Sequence, residues 1–267
     1  MRPVATLREY GIALRAAMAE CAEHPAAKRV HKLRTYTRRV EAMLDLLPRM
    51  AQLPATTREA ARFRKAARPI RRATGAVRDL DVLLTMLAHM PRSRGAKVAA
   101  GVAHLTVKLE RRRQRDAGRL PRLIADKGEK LLHALDALET ALAASRNVSA
   151  ASAEIDRTAR EIFHHATANS TLRSLAASAD ALHNLRKAAK LTRYLAEAGG
   201  GSPHSKTAQT ARRFHAVQQK IGAWHDWRLL AEFAREHLEK GHPVLKVLEA
   251  REQRSHAIAV RQARLLL

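Results

Sequence analysis

One short motif, with a histidine, a leucine and an arginine at fixed spacing, occurs twice in the chain. It reads His31-Lys32-Leu33-Arg34 in the first copy and His183-Asn184-Leu185-Arg186 in the second. At 100° per residue, each copy lies on a selectively basic helix face. The faces hold Lys28, His31, Arg34 and Arg38 in the first copy, and His183, Arg186, Lys187, Lys190 and Arg193 in the second. Like charges stacked on a helix repel each other by about 0.2–0.5 kcal/mol per pair. We therefore expect an anionic ligand, with Arg binding phosphate as a bidentate fork and Lys as a mobile point charge.

A third basic segment follows the first motif. Its cations cover about half of the helical wheel and comprise Arg58, Arg62, Arg64, Lys65, Arg68, Arg71 and Arg72, whereas Phe63, Ala66, Ile70 and Ala73 lie opposite. The segment leads to Gly75 and Asp79, and Gly222 and Asp226 repeat their spacing after the second motif. Since glycine commonly ends a helix, we expect Gly75 to end one helix directly before the next. The recurrence of both motifs in the same order indicates an internal duplication.

The elements that must position these residues are helices. Ala, Leu, Arg and Lys dominate, strand-like alternation is missing, and Pro or Gly recur at the ends of periodic segments. The predicted helices cover 3–22, 26–47, 56–74, 76–90, 94–117, 121–146, 151–168, 178–198, 204–221, 223–240 and 243–265, with breaks that include Pro91 and Gly199–Pro203. We expect an all-α fold of two antiparallel helical bundles, 1–146 and 147–267, whose basic faces turn toward a shared central groove.

The charge balance favours a polyanionic partner. Among 267 residues, 50 Lys and Arg stand against 25 Asp and Glu, which gives a formal net charge of +25 at pH 7. That charge far exceeds what solubility requires, so nucleic acid, an anionic membrane surface and inorganic polyphosphate are the candidates. Aromatic residues are few and scattered, so binding of single strands by base stacking is poorly supported. Docking on an anionic membrane surface is poorly supported as well, because the sequence lacks an amphipathic Trp/Phe/Leu wedge that would insert into the membrane.

The apolar pattern indicates the compartment. The single cysteine, Cys21, lies among small apolar residues of a helical pattern and is expected in the core. No apolar run reaches the ~18 residues of a membrane span, and the start of the chain lacks the apolar stretch of a signal peptide. We therefore expect a soluble cytoplasmic protein with no membrane span.

Metal and catalytic sites find no support in the motifs. His31 and His183 have no Cys or carboxylate at ligand spacing, and the adjacent cations would repel a divalent ion. Each histidine either donates a hydrogen bond to a phosphate or bonds to backbone, Asp79 or Asp226. Asp79 and Asp81 point to nearly opposite sides of a helix, so Asp79 and Asp226 are expected to orient a neighbouring Arg or His. Without a G-x-S-x-G, P-loop or G-x-G-x-x-G motif, we expect no catalytic residue, no cofactor and no metal.

The motifs together resemble a known family. The H-x-L-R helices, the R-D-L-D-V-L-L segment after Gly75 and the later Q-Q-K-I-G-A-W-H-D are similar to the conserved histidine α-helical domain (CHAD) over nearly the whole chain. The resemblance implies two four-helix-type bundles with approximate two-fold symmetry. It also implies binding of inorganic polyphosphate in a basic central cavity, and association with polyphosphate granules in bacterial and archaeal cells. The E-x-E-x-K signature of a CYTH triphosphate-tunnel domain is missing, so the chain resembles the stand-alone form.

Carried over by position, the resemblance implies a set of phosphate contacts. They are His31, Arg34, Arg38, Arg68, Arg72, His183, Arg186, Lys187 and Lys190, with Lys220 as a weaker counterpart, and Lys28, Lys65 and Arg193 join them from the same basic faces. The repeat is imperfect at three positions. Thr35 stands where the second copy has Lys187, Glu41 where it has Arg193, and His225 where the first copy has Arg78. The two halves are therefore expected to bind unequally.

Three functions follow from these observations. The leading one is non-enzymatic binding of inorganic polyphosphate through the basic groove, which targets the protein to polyphosphate granules. An RNA- or DNA-binding protein that uses the same faces is the alternative, and it predicts competition by nucleic acid at comparable phosphate concentration. A polyphosphate phosphohydrolase comes third and predicts metal-dependent phosphate release. Chain-length preference, oligomeric state and granule partners are left open by the sequence.

Overall fold

The chain folds into helices joined by short connections. A computed structural model describes residues 1–90, 95–200 and 202–266, and no strand occurs among them. The helices are α1 (Pro3–Glu23), α2 (Ala27–Leu46), α3 (Thr57–Ala88), α4 (Ala96–Gly118), α5 (Leu120–Ala141), α6 (Ser152–Thr167), α7 (Leu172–Ala177), α8 (Ala179–Ala198), α9 (Lys206–His237) and α10 (Pro243–Ala263). Two short 3-10 turns, Leu47–Arg49 and Ala143–Ser145, follow α2 and α5. The predicted all-α fold is confirmed.

Two predicted helix ends are wrong. The chain does not leave the helix at Gly75, because α3 continues unbroken from Thr57 to Ala88. In the same way α9 continues through Gly222, from Lys206 to His237. Gly75 is instead a site of close approach, since a Cβ there would lie 2.6 Å from Nη1 of Arg34. The predicted breaks at Pro91 and Gly201 lie outside the described residues.

The described chain forms two compact units. Unit 1 comprises Met1–Arg78, Arg115–Ile162 and Leu191–Arg212, and unit 2 comprises Asp79–Gln114, Phe163–Lys190 and the chain from Arg213 onward. Each unit therefore draws on both halves of the sequence. The division into 1–146 and 147–267 was an expectation about an internal duplication, and it stays a prediction, as does the shared basic groove.

The core of unit 1 contains the apolar sides of the basic helices. In α2, Val30 and Leu33 are fully buried, and in α3 the same holds for Phe63 and Ile70. Helix α2 packs against α1, and α1 packs against α5. Cys21, the single cysteine of the sequence, is buried in this core, as predicted. Burial of one side of each helix leaves the basic side facing outward, which confirms the amphipathic pattern of α2 and α3.

Unit 2 contains two apolar clusters. One gathers the end of α3, part of α4, the later turns of α9 and the start of α10. The other surrounds α8 and α9, where the rings of Phe163 and Phe214 meet edge to face with centroids 4.7 Å apart. Trp224 is buried in this second cluster, and Trp227 is half-buried against the first. The second cluster fixes α8 and α9, which carry the second copy of the motifs.

Candidate functional site

The predicted phosphate contacts divide between the two units. Unit 1 holds Lys28, His31, Arg34, Arg38, Lys65, Arg68, Arg72 and Arg193, and unit 2 holds His183, Arg186, Lys187, Lys190 and Lys220. In unit 1 most of them lie on α2 and α3. In unit 2 they lie on α8 and α9.

Helices α2 and α3 bring together five arginines and one carboxylate, which two of the arginines contact. We call this the arginine cluster, and it comprises Arg34, Arg38, Arg68, Arg71, Arg72 and Glu41. Nη1 of Arg38 lies 3.1 Å from Oε2 of Glu41, and Nε of Arg71 lies 3.4 Å from Oε1 of the same carboxylate. Nη1 of Arg34 donates a long hydrogen bond of 3.5 Å to the carbonyl of Arg71. Contacts from α2 to α3 thus place four of the predicted contacts in one cluster.

The local sequence explains why Arg34 reaches α3. Its guanidinium lies against the backbone of α3 at Gly75, where a larger residue would collide with it. The apolar residue beside it in the motif, Leu33, is fully buried. Burial of Leu33 fixes the rotation of α2, and the glycine gives the arginine room to cross to the neighbouring helix.

The electrostatics of the cluster are dominated by positive charge. Burial lowers the pKa of the Arg71 guanidinium, and the nearby charges of Arg38, Arg72 and Arg68 lower it further. The Glu41 carboxylate acts in the opposite direction and raises that pKa. Five guanidinium groups stand against a single carboxylate in this cluster, so its formal charge is positive. An added anion would relieve this repulsion.

The outer part of the cluster is open to solvent. Arg68 and Arg72 are exposed on α3, and so are Lys65 on the same helix and Lys28 and His31 on α2. Within the described part of the chain, no carboxylate lies at ion-pair distance from Lys65, Arg68 or Arg72. Lys65, Arg68 and Arg72 are therefore available to a ligand that arrives from solution.

Arg193 lies in a different set of contacts. Its Nη1 atom is 3.3 Å from Oε1 of Glu197, and its guanidinium is 4.6 Å from the ring centroid of Tyr194. Arg39 approaches the same carboxylate at 3.5 Å and lies 5.5 Å from the Tyr36 ring centroid. Only 14% of the Arg193 side chain is exposed. The charge of Arg193 is thus engaged within the protein by Glu197 and Tyr194.

In unit 2 the second motif forms a stacked pair of imidazoles. The rings of His183 and His225 have centroids 5.5 Å apart and an interplanar angle of 27°. Burial lowers the pKa of His183, and the charges of Arg186, Lys187 and His225 lower it further, while Asp180 raises it. The imidazole therefore loses its proton more readily than an ordinary histidine.

The remaining predicted contacts of unit 2 lie on the same two helices, α8 and α9. Lys187 and Lys220 are exposed, whereas Arg186 and Lys190 are half-buried. Oδ1 of Asp226 lies 3.4 Å from Nδ1 of His225, which is a weak contact. This carboxylate was expected to orient a neighbouring Arg or His, and it does lie beside a histidine. Asp79 is exposed on α3.

Neither a metal centre nor a membrane span is found among the described residues. No three His, Cys, Asp or Glu side chains there come together in a metal-binding arrangement. Asp81 is buried, and its Oδ1 atom accepts a hydrogen bond of 3.0 Å from Nε of Arg113. No helix in residues 1–90, 95–200 or 202–266 combines the length and the apolar character that crossing a membrane requires.

Three residues of the site were missed as contacts by reasoning from sequence. Arg71 belongs to the predicted basic strip, yet the structure places it at the centre of the cluster. Glu41 and His225 were recognised only as departures from the repeat. The spacing of Arg34, Arg38 and Glu41 by four and three residues was the available signal, because such residues share a helix face.

Comparison with known proteins supports the architecture. A family model, the CHAD domain, matches residues 6–235 of the chain. The crystal structure of the CHAD domain from the plant Ricinus communis superposes with a TM-score of 0.67 at 18% sequence identity, covering 98% of this chain and 89% of the plant chain. At that identity the likeness shows the fold alone. No curated protein matches the sequence.

Proposed function

Because this chain belongs to the CHAD domain family, we propose that it binds inorganic polyphosphate through its basic helix surfaces and does not chemically alter it. The observation that carries the proposal is the arginine cluster, which gathers five arginines and one carboxylate, with Arg38 and Arg71 in direct contact with Glu41. The resemblance of the motifs to CHAD members points to the same ligand. The proposed contacts are the predicted residues of each unit taken separately, together with Arg71 in unit 1 and His225 in unit 2.

The chemistry of polyphosphate suits such a surface. The polymer carries about one negative charge per phosphate along a flexible chain, so successive phosphates can each find a cation. Arg68 and Arg72 offer planar forks to individual phosphates, and Lys65 offers a mobile point charge. Each neutralised cation also releases counterions, so the affinity falls steeply as salt is raised; this rule comes from nucleic acids and is applied by analogy.

The protein is proposed to act as a binding module on polyphosphate granules in the cytoplasm. Retention on such a granule needs only multivalent attachment, because a long polymer presents many equivalent sites to one basic surface. Nucleic acid is a weaker fit, since the aromatic residues are few and the sequence does not interleave them with the basic positions.

A competition experiment tests the ligand. Labelled long-chain polyphosphate is bound at near-physiological salt and displaced with RNA, duplex DNA or heparin, and free phosphate is followed in the same samples. We expect polyphosphate to be retained against nucleic acid at equal phosphate concentration, without phosphate release. Equal displacement by RNA or DNA would favour the nucleic-acid alternative, and metal-dependent release of phosphate would favour the phosphohydrolase.

A charge-matched pair of variants tests the site. The first replaces four proposed contacts with alanine, at Arg34, Arg38, Arg186 and Lys190. The control replaces four exposed arginines elsewhere with alanine, at Arg111, Arg122, Arg254 and Arg261. Both variants lose four positive charges, so generic attraction falls equally. We expect the first variant to lose binding with its helicity intact, and the control to retain most of it. Equal losses would show that net charge alone binds the polymer.

A further inference from the structure

Glu41 occupies an unusual position for an acidic residue in a phosphate-binding surface. Only 9% of the residue is exposed. Its two carboxylate oxygens contact arginines from two different helices, Arg38 on α2 and Arg71 on α3. A buried carboxylate between two guanidinium groups holds them in place and neutralises part of their repulsion when no ligand is bound.

The same carboxylate opposes an anion that approaches Arg38 or Arg71. A phosphate there must either displace the carboxylate from the arginines or accept repulsion from it at short range. A short anion has few other contacts with which to offset that cost. A long chain reaches the exposed cations Lys65, Arg68 and Arg72 at the same time, so the repulsion is one contribution among many.

We propose that Glu41 is an internal counter-ion of the arginine cluster, and that it makes unit 1 discriminate against short phosphate anions in favour of long polyphosphate chains. This inference rests on the proposed function, because it assigns a length preference to the same site. Glu41 stands where the second motif copy carries Arg193, so the device belongs to the first copy.

The test compares Glu41→Gln with a matched control on the same pair of helices. Asp45 lies four residues further along α2, and its Oδ1 atom contacts Nη2 of Arg64 on α3 at 2.7 Å. Asp45→Asn therefore removes the same charge and also breaks an ion pair between α2 and α3, but outside the arginine cluster. Affinities for tripolyphosphate and for long-chain polyphosphate are measured by titration calorimetry, after circular dichroism has checked that both variants fold.

We expect E41Q to bind tripolyphosphate at least tenfold more tightly than the wild type, which corresponds to about 1.4 kcal/mol. Its affinity for long chains should change less than about threefold, and D45N should change less than about threefold for either ligand, because its charge lies outside the cluster. Equal effects of E41Q and D45N would overturn the inference. Weaker binding of both ligands by E41Q would also overturn it, since Glu41 would then only position the arginines.

The inference and the proposed function can fail separately. If the wild type does not bind long-chain polyphosphate, the proposed function fails, while a gain of tripolyphosphate binding in E41Q still supports the counter-ion role. If E41Q does not fold, Arg71→Gln replaces it, because Glu41 then keeps only Arg38 as a partner. R71Q should lose at least tenfold more affinity for tripolyphosphate than for long-chain polyphosphate, whereas R64Q should change the two affinities equally. An equal loss of affinity for both ligands in R71Q would overturn the inference.

Discussion

The two equivalent glycines of the repeated motif should respond differently to replacement by alanine. Within a helix, Gly→Ala stabilises by roughly 0.5–1 kcal/mol through backbone entropy. At Gly222 a new Cβ meets no atom within 4 Å, so the full gain is expected. At Gly75 the new Cβ would lie 2.6 Å from Nη1 of Arg34 and push the guanidinium away. That movement removes the Arg34 hydrogen bond to the carbonyl of Arg71, worth about 0.5–1.5 kcal/mol.

These two contributions set the expected measurements. Gly222→Ala should raise the midpoint of thermal unfolding by about 2 °C, with polyphosphate affinity unchanged. Gly75→Ala should leave the midpoint within about 2 °C of the wild type, because gain and loss nearly cancel, yet it should weaken binding severalfold. Circular dichroism and fluorescence anisotropy measure the two quantities. If G75A were as stabilising as G222A and bound normally, the close approach of Arg34 to α3 would have no functional role.

Four further outcomes are expected. A bound anion should raise the lowered pKa of His183, so affinity should increase as the pH falls through 6.5, and His183→Gln should flatten that profile in a binding titration. Without ligand, the pKa of His183 is lower in the folded than in the unfolded chain, so the unfolded chain binds the imidazole proton at a higher pH. His183 therefore makes the free protein less stable as the pH falls below 6.5, and urea titrations of wild type and H183Q would show this. Arg113→Ala strands the buried Asp81 carboxylate and should cost about 2–4 kcal/mol in urea unfolding. Gly101→Ala places a Cβ 2.4 Å from Cε1 of His242 and should cost about 1–3 kcal/mol.

The helix content and the buried faces were predictable because both follow from local periodicity. Val30, Leu33, Phe63 and Ile70 recur at helical spacing and are all buried. The error at Gly75 has a different origin. Glycine ends helices often enough to be a useful signal. Here Gly75 instead makes room for Arg34, which is far away in sequence, and no local pattern contains that information.

The candidate site shows the same limit. The cations of α2 and α3 were predictable from their helix faces, whereas the pairing of Glu41 with Arg71 depends on how two helices pack. Arg193 illustrates the converse, since its place in the repeat suggests a ligand contact while Glu197 and Tyr194 hold its charge within the protein. A basic position on a helical wheel specifies a charge and the direction of a side chain. It does not show whether another residue of the protein already pairs with that charge.

The two motif copies share the H-x-L-R pattern, yet their neighbours make them respond to different variables. In unit 1 a carboxylate between two arginines opposes short anions, so length should be the property that this surface senses. In unit 2 a bound anion should favour protonation of His183, which stacks on His225 and whose pKa is lowered in the free protein, so pH should govern that surface. Replacing Glu41 should therefore alter the length dependence of binding without altering its pH dependence, and replacing His183 should do the reverse. A single variant that changed both properties would show that the two surfaces act as one site.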